Sequence, residues 1–412
     1  MRRRAATAAV VLAAALMRDV PTAERSGQTP SFSSATDLIA VDVQVVERTG
    51  APVPALTKDD FRVSIDRRRR TIVNAEFVSV TATEGGAVSA PAEPRAAGVA
   101  DAPTSVPGRT FVIAVDLLTF DIGASRGVAA AARQFIERLR PDDRVGLFPF
   151  PTGPRLEAST DHGRVLAVLD QLVGQKLQAG GRYAISPADI VDWWAGDQAR
   201  IQARECGSSS TGRGGTISPS CVSDLGVEMN ARTQEFEAQA MLSNQILRRL
   251  FESIGPVPGR KFVVLVSGGM PMSDRPGGRP DGGTAAQDLG AIAARANVGL
   301  YSLFLDGSFL ERFSASSRTG NRGATNGDRD SAVGGAWLSQ LSDGAGGALF
   351  RILVGNGEAS FDRVLRETSA YYLLGVQPEP ADRDGKPHVI DVSVNQRGLT
   401  VRSRRWVVMP QR

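Results

Sequence analysis

The chain has 412 residues, of which 42% are hydrophobic and 22% charged, with a formal net charge of +4. That length is too great for one small core and accommodates two or three domains, and the composition is that of a folded globular protein. The arginines are scattered rather than gathered into one basic arm, which argues against a nucleic-acid-binding protein.

The N-terminus opens with Arg2-Arg3-Arg4, followed by an Ala/Val/Leu run from Ala5 to Met17. A charged stretch ahead of a short apolar one is the pattern of an export signal. The expectation is an exported protein that is periplasmic, extracellular or envelope-associated, and the N-terminal segment offers a route to the envelope. The paired arginines allow twin-arginine export without specifying it. Beyond this segment no apolar run reaches the ~20 residues that cross a bilayer. Residues 1–36 are read as this signal-like segment and a polar linker.

Leu38 to Arg48 alternates, with Ile39, Val41, Val43 and Val45 on one face, and predicts a strand. Thr49-Gly50-Ala51-Pro52 is a turn, and Leu56 to Phe61 predicts a short helical step capped by Thr57. Phe61 to Ile65 and Thr71 to Val80 predict two strands around a hairpin with Arg67 to Arg70 at its tip. A charge run at such a tip reads as a solvated face. Residues 81–108 are rich in Ala, Gly, Pro and Thr and read as a linker.

Phe111 to Leu118 is a near-continuous apolar run, rich in β-branched residues and broken by one acid, Asp116. It predicts a strand buried on both faces of a parallel sheet. An acid near the C-terminal end of such a strand points into the crevice where open α/β sheets take ligands. Gly127 to Leu139 predicts a helix and Arg144 to Phe150 a strand, which completes a β-α-β unit. Helical spacing follows over Asp161 to Leu172, and again within 187–204, where Ile190, Val191, Trp193 and Trp194 cluster. Glu228 to Ser253 predicts a long amphipathic helix with Met241, Leu242, Ile246, Leu247, Leu250 and Ile254 on its apolar side. Pro256 and Pro258 stop it. Lys261 to Ser267 and Val298 to Leu305 predict buried strands, and Ala348 to Leu353 a short edge strand. Helices are predicted over Thr284 to Ala296, Trp337 to Leu341 and Glu358 to Ala370.

Two inserts, 205–226 and 314–335, interrupt this region. The first carries Cys206 and Cys221, which in an exported protein favour a loop-closing disulfide worth about 3 kcal/mol on the chain-entropy account. With neither His162 nor His388 near them in sequence, they do not make a zinc site.

From Tyr371 the period changes to two, over Tyr371 to Pro378, Val389 to Asn395 and Thr400 to Val408. The predicted fold is therefore α/β: a doubly wound, mostly parallel sheet flanked by helices over 109–370, inserted in a β-sandwich formed by N-terminal strands (37–80) and C-terminal strands (371–412). Two separate small sheets are the alternative.

Several of these motifs occur in a telling order. They are the strand ending in Asp116, the Arg140-Pro141-Asp142-Asp143-Arg144-Val145 step, and Pro258-Gly259-Arg260-Lys261 before the strand that ends Ser267-Gly268-Gly269. Leu56 to Phe61 flanks them upstream, and Tyr371 to Gly375 with Asp384 to His388 downstream. Together they resemble von Willebrand factor A (VWA) domains, and more narrowly the VWFA-related exported proteins typical of Acidobacteria. In the wider family the resemblance implies a metal-ion-dependent adhesion site. An Asp-x-Ser-x-Ser loop, a Thr from a second loop and an Asp from a third hold Mg2+, which keeps a position open for a partner's carboxylate. Such a hard cation takes oxygen ligands at near-octahedral geometry.

Carried over, Asp116 matches the first Asp, but Leu118 and Phe120 stand where the two Ser ligands would be. Ser267-Gly268-Gly269 replaces the third-loop Asp-Gly, and Ser186 corresponds to the second-loop Thr. Thr119, Asp121, Ser186 and Ser267 are the available substitutes, with Thr119 and Asp121 at the wrong spacing. The resemblance thus implies a degenerate site. The alternative role for Asp116 is to cap or hydrogen-bond backbone N–H groups of a neighbouring loop.

No Gly-x-Ser-x-Gly elbow, phosphate loop or strand-to-helix Gly-x-Gly-x-x-Gly occurs. The expected function is a non-enzymatic, exported VWA-like module that binds an unidentified protein partner. No cofactor is expected, with Mg2+ as the one exception the resemblance allows. A structural scaffold of the cell envelope is the alternative, and a nucleotide-dependent enzyme is less favoured.

Overall fold

The computed structural model describes residues 38–80, 108–122, 125–176, 182–207, 217–273, 275, 277–282, 284–307, 327–352 and 357–409. The N-terminal stretch read as an export signal and linker, nearly all of the 81–108 linker and residues 314–326 of the second insert lie outside them.

The N-terminal strands are β1 (Ile39–Val46), β2 (Phe61–Ile65), β3 (Arg68–Arg70) and β4 (Ile72–Ser79). The helical step before β2 is a 3-10 turn, Lys58–Asp60. Thr57 is its N-cap, in a capping box with Asp60, whose Oδ2 accepts from Thr57 N at 2.8 Å and Thr57 Oγ1 at 2.9 Å. The expected Arg67 to Arg70 tip is corrected. The turn is Asp66-Arg67, both at positive φ (48° and 65°), as a two-residue hairpin turn of the primed type requires. Arg68–Arg70 is itself the returning strand, paired with Val63 to Ile65. Arg70 faces inward and is buried, with Nη2 and Nε on Asp382 Oδ1 and Oδ2 at 2.6 and 2.8 Å. β4 then leaves for the other sheet.

The α/β region runs β5 (Thr110–Asp116), α1 (Ser125–Glu137), β6 (Arg144–Phe150), β7 (Leu156–Ser159), α2 (His162–Leu166), α3 (Pro187–Trp194), α4 (Gln198–Cys206), α5 (Pro219–Ile254), β8 (Lys261–Ser267), α6 (Ala285–Arg295), β9 (Val298–Leu305), α7 (Gly327–Gly344), β10 (Ala348–Ile352) and α8 (Gly357–Glu367). The sheet order is β10-β9-β8-β5-β6-β7, parallel throughout except for β7 at one edge. Side chains alternate between its faces, so the continuous apolar runs feed two cores. Phe111, Ile113 and Val115 pack under α1 and α8. Val112 and Ala114 pack with α5, α6 and α7.

The long helix begins at Pro219 rather than Glu228, so the first insert is not a simple loop. Its 36 residues extend about 54 Å at 1.5 Å per residue. The C-terminal half packs Ala240, Leu247, Leu250 and Phe251 on the sheet, whereas Met241 and Leu242, expected on the apolar side, are exposed. The N-terminal half joins α3 and α4 in a small separate core of Tyr183, Ile190, Trp193, Ile201, Leu225 and Met229. The predicted disulfide closes this helical insert, with Cys206 and Cys221 Cα atoms 5.7 Å apart. The second insert ends inside α7, which starts at Gly327.

The C-terminal strands are β11 (Ala370–Val376), β12 (Pro387–Val394), β13 (Thr400–Ser403) and β14 (Trp406–Val408). The single strand expected over Thr400 to Val408 breaks at Arg404-Arg405, and its halves enter different sheets. Two antiparallel sheets result, β13-β1-β11-β4 and β14-β12-β2-β3, each built from both ends of the chain. They share one core that includes Val41, Val43, Phe61, Val63, Tyr372, Leu374 and Ile390. Two unconnected small sheets are thereby excluded.

Candidate functional site

In a doubly wound sheet, chains leave neighbouring strands in opposite directions at one point, and ligands bind outside the C-terminal ends of the strands there. Here that point lies between β5 and β8, which end at Asp116 and Ser267. Both residues are 1% exposed. Ser267 Oγ donates to Asp116 Oδ2 at 3.2 Å. Asp116 Oδ1 is buried and meets no hydrogen-bond partner among the described residues. Burial pushes the Asp116 carboxyl up to about 7, against the opposing pull of Ser267 and the Leu118 backbone N–H.

Thr119 joins the pair. Its Oγ1 donates to Asp116 O at 2.7 Å, accepts from Gly268 N at 2.7 Å and lies 3.5 Å from Ser267 Oγ. Ser267 Oγ also accepts from Gly269 N at 3.1 Å. A Cβ on Gly268 would come within 2.6 Å of Thr119 O, so the two loops approach as closely as glycine allows. The 3-10 turn Leu117–Thr119 follows directly on Asp116, and Leu117 and Phe120 are buried in the core they share with α1. A strap from the 173–176 segment holds it down: Gln175 N donates to Leu117 O at 2.7 Å and Lys176 N to Phe120 O at 3.0 Å.

Three of the five candidate residues, Asp116, Thr119 and Ser267, therefore come together. Ser186 does not share their hydrogen bonds. It caps α3, accepting from Asp189 N at 3.2 Å while Asp189 Oδ2 takes Ser186 N–H at 3.0 Å. Asp189 is buried against Arg204 at 2.8 Å, in the helical insert. Asp121 lies exposed, 3.9 Å from Lys176 Nζ. Among the described residues no cluster of three or more His, Cys, Asp or Glu side chains is placed to hold a metal. One carboxyl with a raised pKa and two hydroxyls already hydrogen-bonded do not fit an octahedral Mg2+ shell.

Sequence reasoning passed over Asp306. It follows β9 as Asp116 ends β5, at the same end of the sheet; it is 5% exposed and accepts from Ser331 Oγ at 2.5 Å. An acid after a continuous apolar run was the available signal. The histidines serve as cross-links. His162 Nε2 meets Asp143 O at 2.8 Å, and His388 lies between Asp66 Oδ2 at 2.7 Å and Asp384 Oδ1 at 2.9 Å. On the two segments that these backbone bonds join, Ile122 is 75% exposed and Val173 49%.

Among the described residues no helix is long and apolar enough to cross a membrane. No protein-family model matches this chain, and no curated protein matches it.

Proposed function

We propose that this chain is a non-enzymatic, exported protein-binding module on a VWA-like scaffold, whose adhesion site has become a closed, metal-independent support for its rim loops. The observation that carries the reading is the Asp116–Ser267 pair. It occupies the ligand-binding point of the sheet, yet it is buried, and the turn that follows it is tied to the 173–176 strap. With the carboxyl withdrawn, recognition falls to the rim, where Ile122 and Val173 expose apolar side chains on the two segments so joined. The Cys206–Cys221 disulfide supports an oxidising compartment.

The test has two arms. Mg2+ and Mn2+ are titrated calorimetrically into EDTA-stripped protein and its Asp116→Ala variant. Photo-crosslinkers are placed at Ile122 and Val173 in the producing cell. The reading expects no metal heat and one defined protein adduct that survives EDTA. Metal heat that vanishes in the variant would restore a working adhesion site. Absence of any adduct at either position would favour the scaffold role.

A further inference from the structure

The opposite end of the parallel sheet carries a second, unrelated feature. There the N-terminal ends of β8 and β9 meet β1 and β13 of the sandwich around a cavity of about 40 Å³. A single water needs roughly 10–15 Å³ measured this way, so the space suits one small guest and no nucleotide or sugar. Arg260 and Arg404 both line it.

Each arginine has one N–H group cut off from solvent with no partner among the described residues: Arg260 Nη1 and Arg404 Nε. Their other contacts are accounted for. Arg260 Nε pairs with Asp42 Oδ2 at 3.0 Å, and its guanidinium lies 3.9 Å from the Tyr371 ring centre and 5.0 Å from that of Phe262. Arg404 Nη2 donates to Ala40 O at 2.5 Å and Nη1 to Ala294 O at 3.4 Å.

The charges around the cavity do not balance. Arg402 is matched by Glu367 at 2.6 Å, and Arg109 by Asp143 at 2.6 Å. Lys261, also lining the cavity, spends its ammonium on the carbonyls of Gly255 and Val257. Among the described residues, Arg260, Lys261 and Arg404 are left with Asp42 as their one carboxylate. Burial holds all three below their usual pKa values, the mark of charge removed from water without sufficient counter-charge. A water molecule would satisfy the orphan N–H groups but not the charge. An anion does both, through charge-assisted hydrogen bonds.

We propose that this cavity is a binding site for one chloride-sized monovalent anion, held between Arg260 and Arg404, that cements the sandwich to the parallel sheet. The site lies on strands from both parts of the fold, so occupancy stabilises their junction by mass action.

The full chain is unfolded thermally while chloride replaces gluconate at constant ionic strength. The midpoint is expected to rise with chloride in the wild type. Arg404→Gln, which keeps a donor but removes the charge, loses that rise. Asp42→Asn removes the competing carboxylate and shifts the chloride response to concentrations about tenfold lower. Crystals grown in bromide are expected to show an anomalous peak between the two guanidinium groups, a readout independent of whether either variant folds. A midpoint indifferent to chloride in both the wild type and Asp42→Asn would overturn the site. So would bromide peaks only elsewhere on the surface.

Discussion

Asp116 and Ser267 meet across the one gap where the parallel sheet reverses its winding, and only one carboxyl oxygen is satisfied: Oδ2 takes the serine hydroxyl at 3.2 Å, while Oδ1 has no partner among the described residues. The folded carboxyl titrates at about 7, against 3.8 for the free group. Between those values the native state retains a proton that the unfolded state has released. The stability this provides is complete below about pH 3.8 and is lost as pH rises through about 7. The full loss is about 4 kcal/mol. Asp116→Asn should flatten that slope, so that the variant gains on the wild type in urea unfolding at about pH 8 and not at about pH 4. Parallel curves for the two proteins would refute the buried, protonated carboxyl.

His388 should impose a second pH dependence, at the sandwich. Asp66 and Asp384 on either side of its ring raise its pKa above the usual 6.5. The nearby Arg70–Asp382–Glu379 set and Lys386 complete its charged surroundings. Its contribution is present below pH 6.5 and fades as pH rises through the raised value. His388→Gln should lose stability relative to the wild type in mildly acid solution and match it more closely in alkali. A gap that widens with pH would contradict the arrangement.

Neighbouring arginines should behave unequally. Arg70→Ala leaves Asp382 buried without its bidentate partner and is expected to cost about 3–5 kcal/mol in denaturant unfolding. Arg69→Ala, one residue away on the exposed side, should fall within about 0.5 kcal/mol of the wild type. Equal effects would mean that the strand assignment of Arg68–Arg70 is wrong.

Reduction of Cys206–Cys221 should act locally. The bond closes a 15-residue separation and contributes about 3 kcal/mol. Because α3, α4 and the start of α5 have a core of their own, loss of the bond should raise amide exchange there and leave β5 and β8 protected. Exchange rising equally in the parallel sheet would show that the insert is not independent.

Much of this architecture was legible because burial on two faces writes itself as an unbroken apolar run. The bounds of β6, β8 and β9 match those read from sequence, and β5 starts one residue before its run, at Thr110, and ends at Asp116. The terminal strands showed through period-two alternation. What stayed hidden depended on partners distant in sequence. Arg70 looks like its solvated neighbours until Asp382 reaches it. β7 is four residues of LEAS held by β6. The break at Arg404-Arg405 leaves no mark in the alternation, because it is set by contacts such as Arg405 N to Gly344 O. The position of Asp116 was readable, whereas its enclosure was not, since the strap tied to the turn after it comes from residues 173–176.

Tyr372 shows what interleaving implies for a chain made from its N-terminus onward. Its hydroxyl accepts from Leu56 N at 2.9 Å and donates to Val53 O at 2.8 Å, 316 and 319 residues away in sequence. β1 ladders with β11 and β13, and β4 with β11. During synthesis these first strands must therefore wait, unpaired, while the whole α/β domain emerges and folds. Exposed edges of this kind are aggregation-prone. A ribosome stalled before residue 370 would release a finished central domain trailing a sticky, half-built β-sheet. The last strands made thus decide whether the first ones ever become structure.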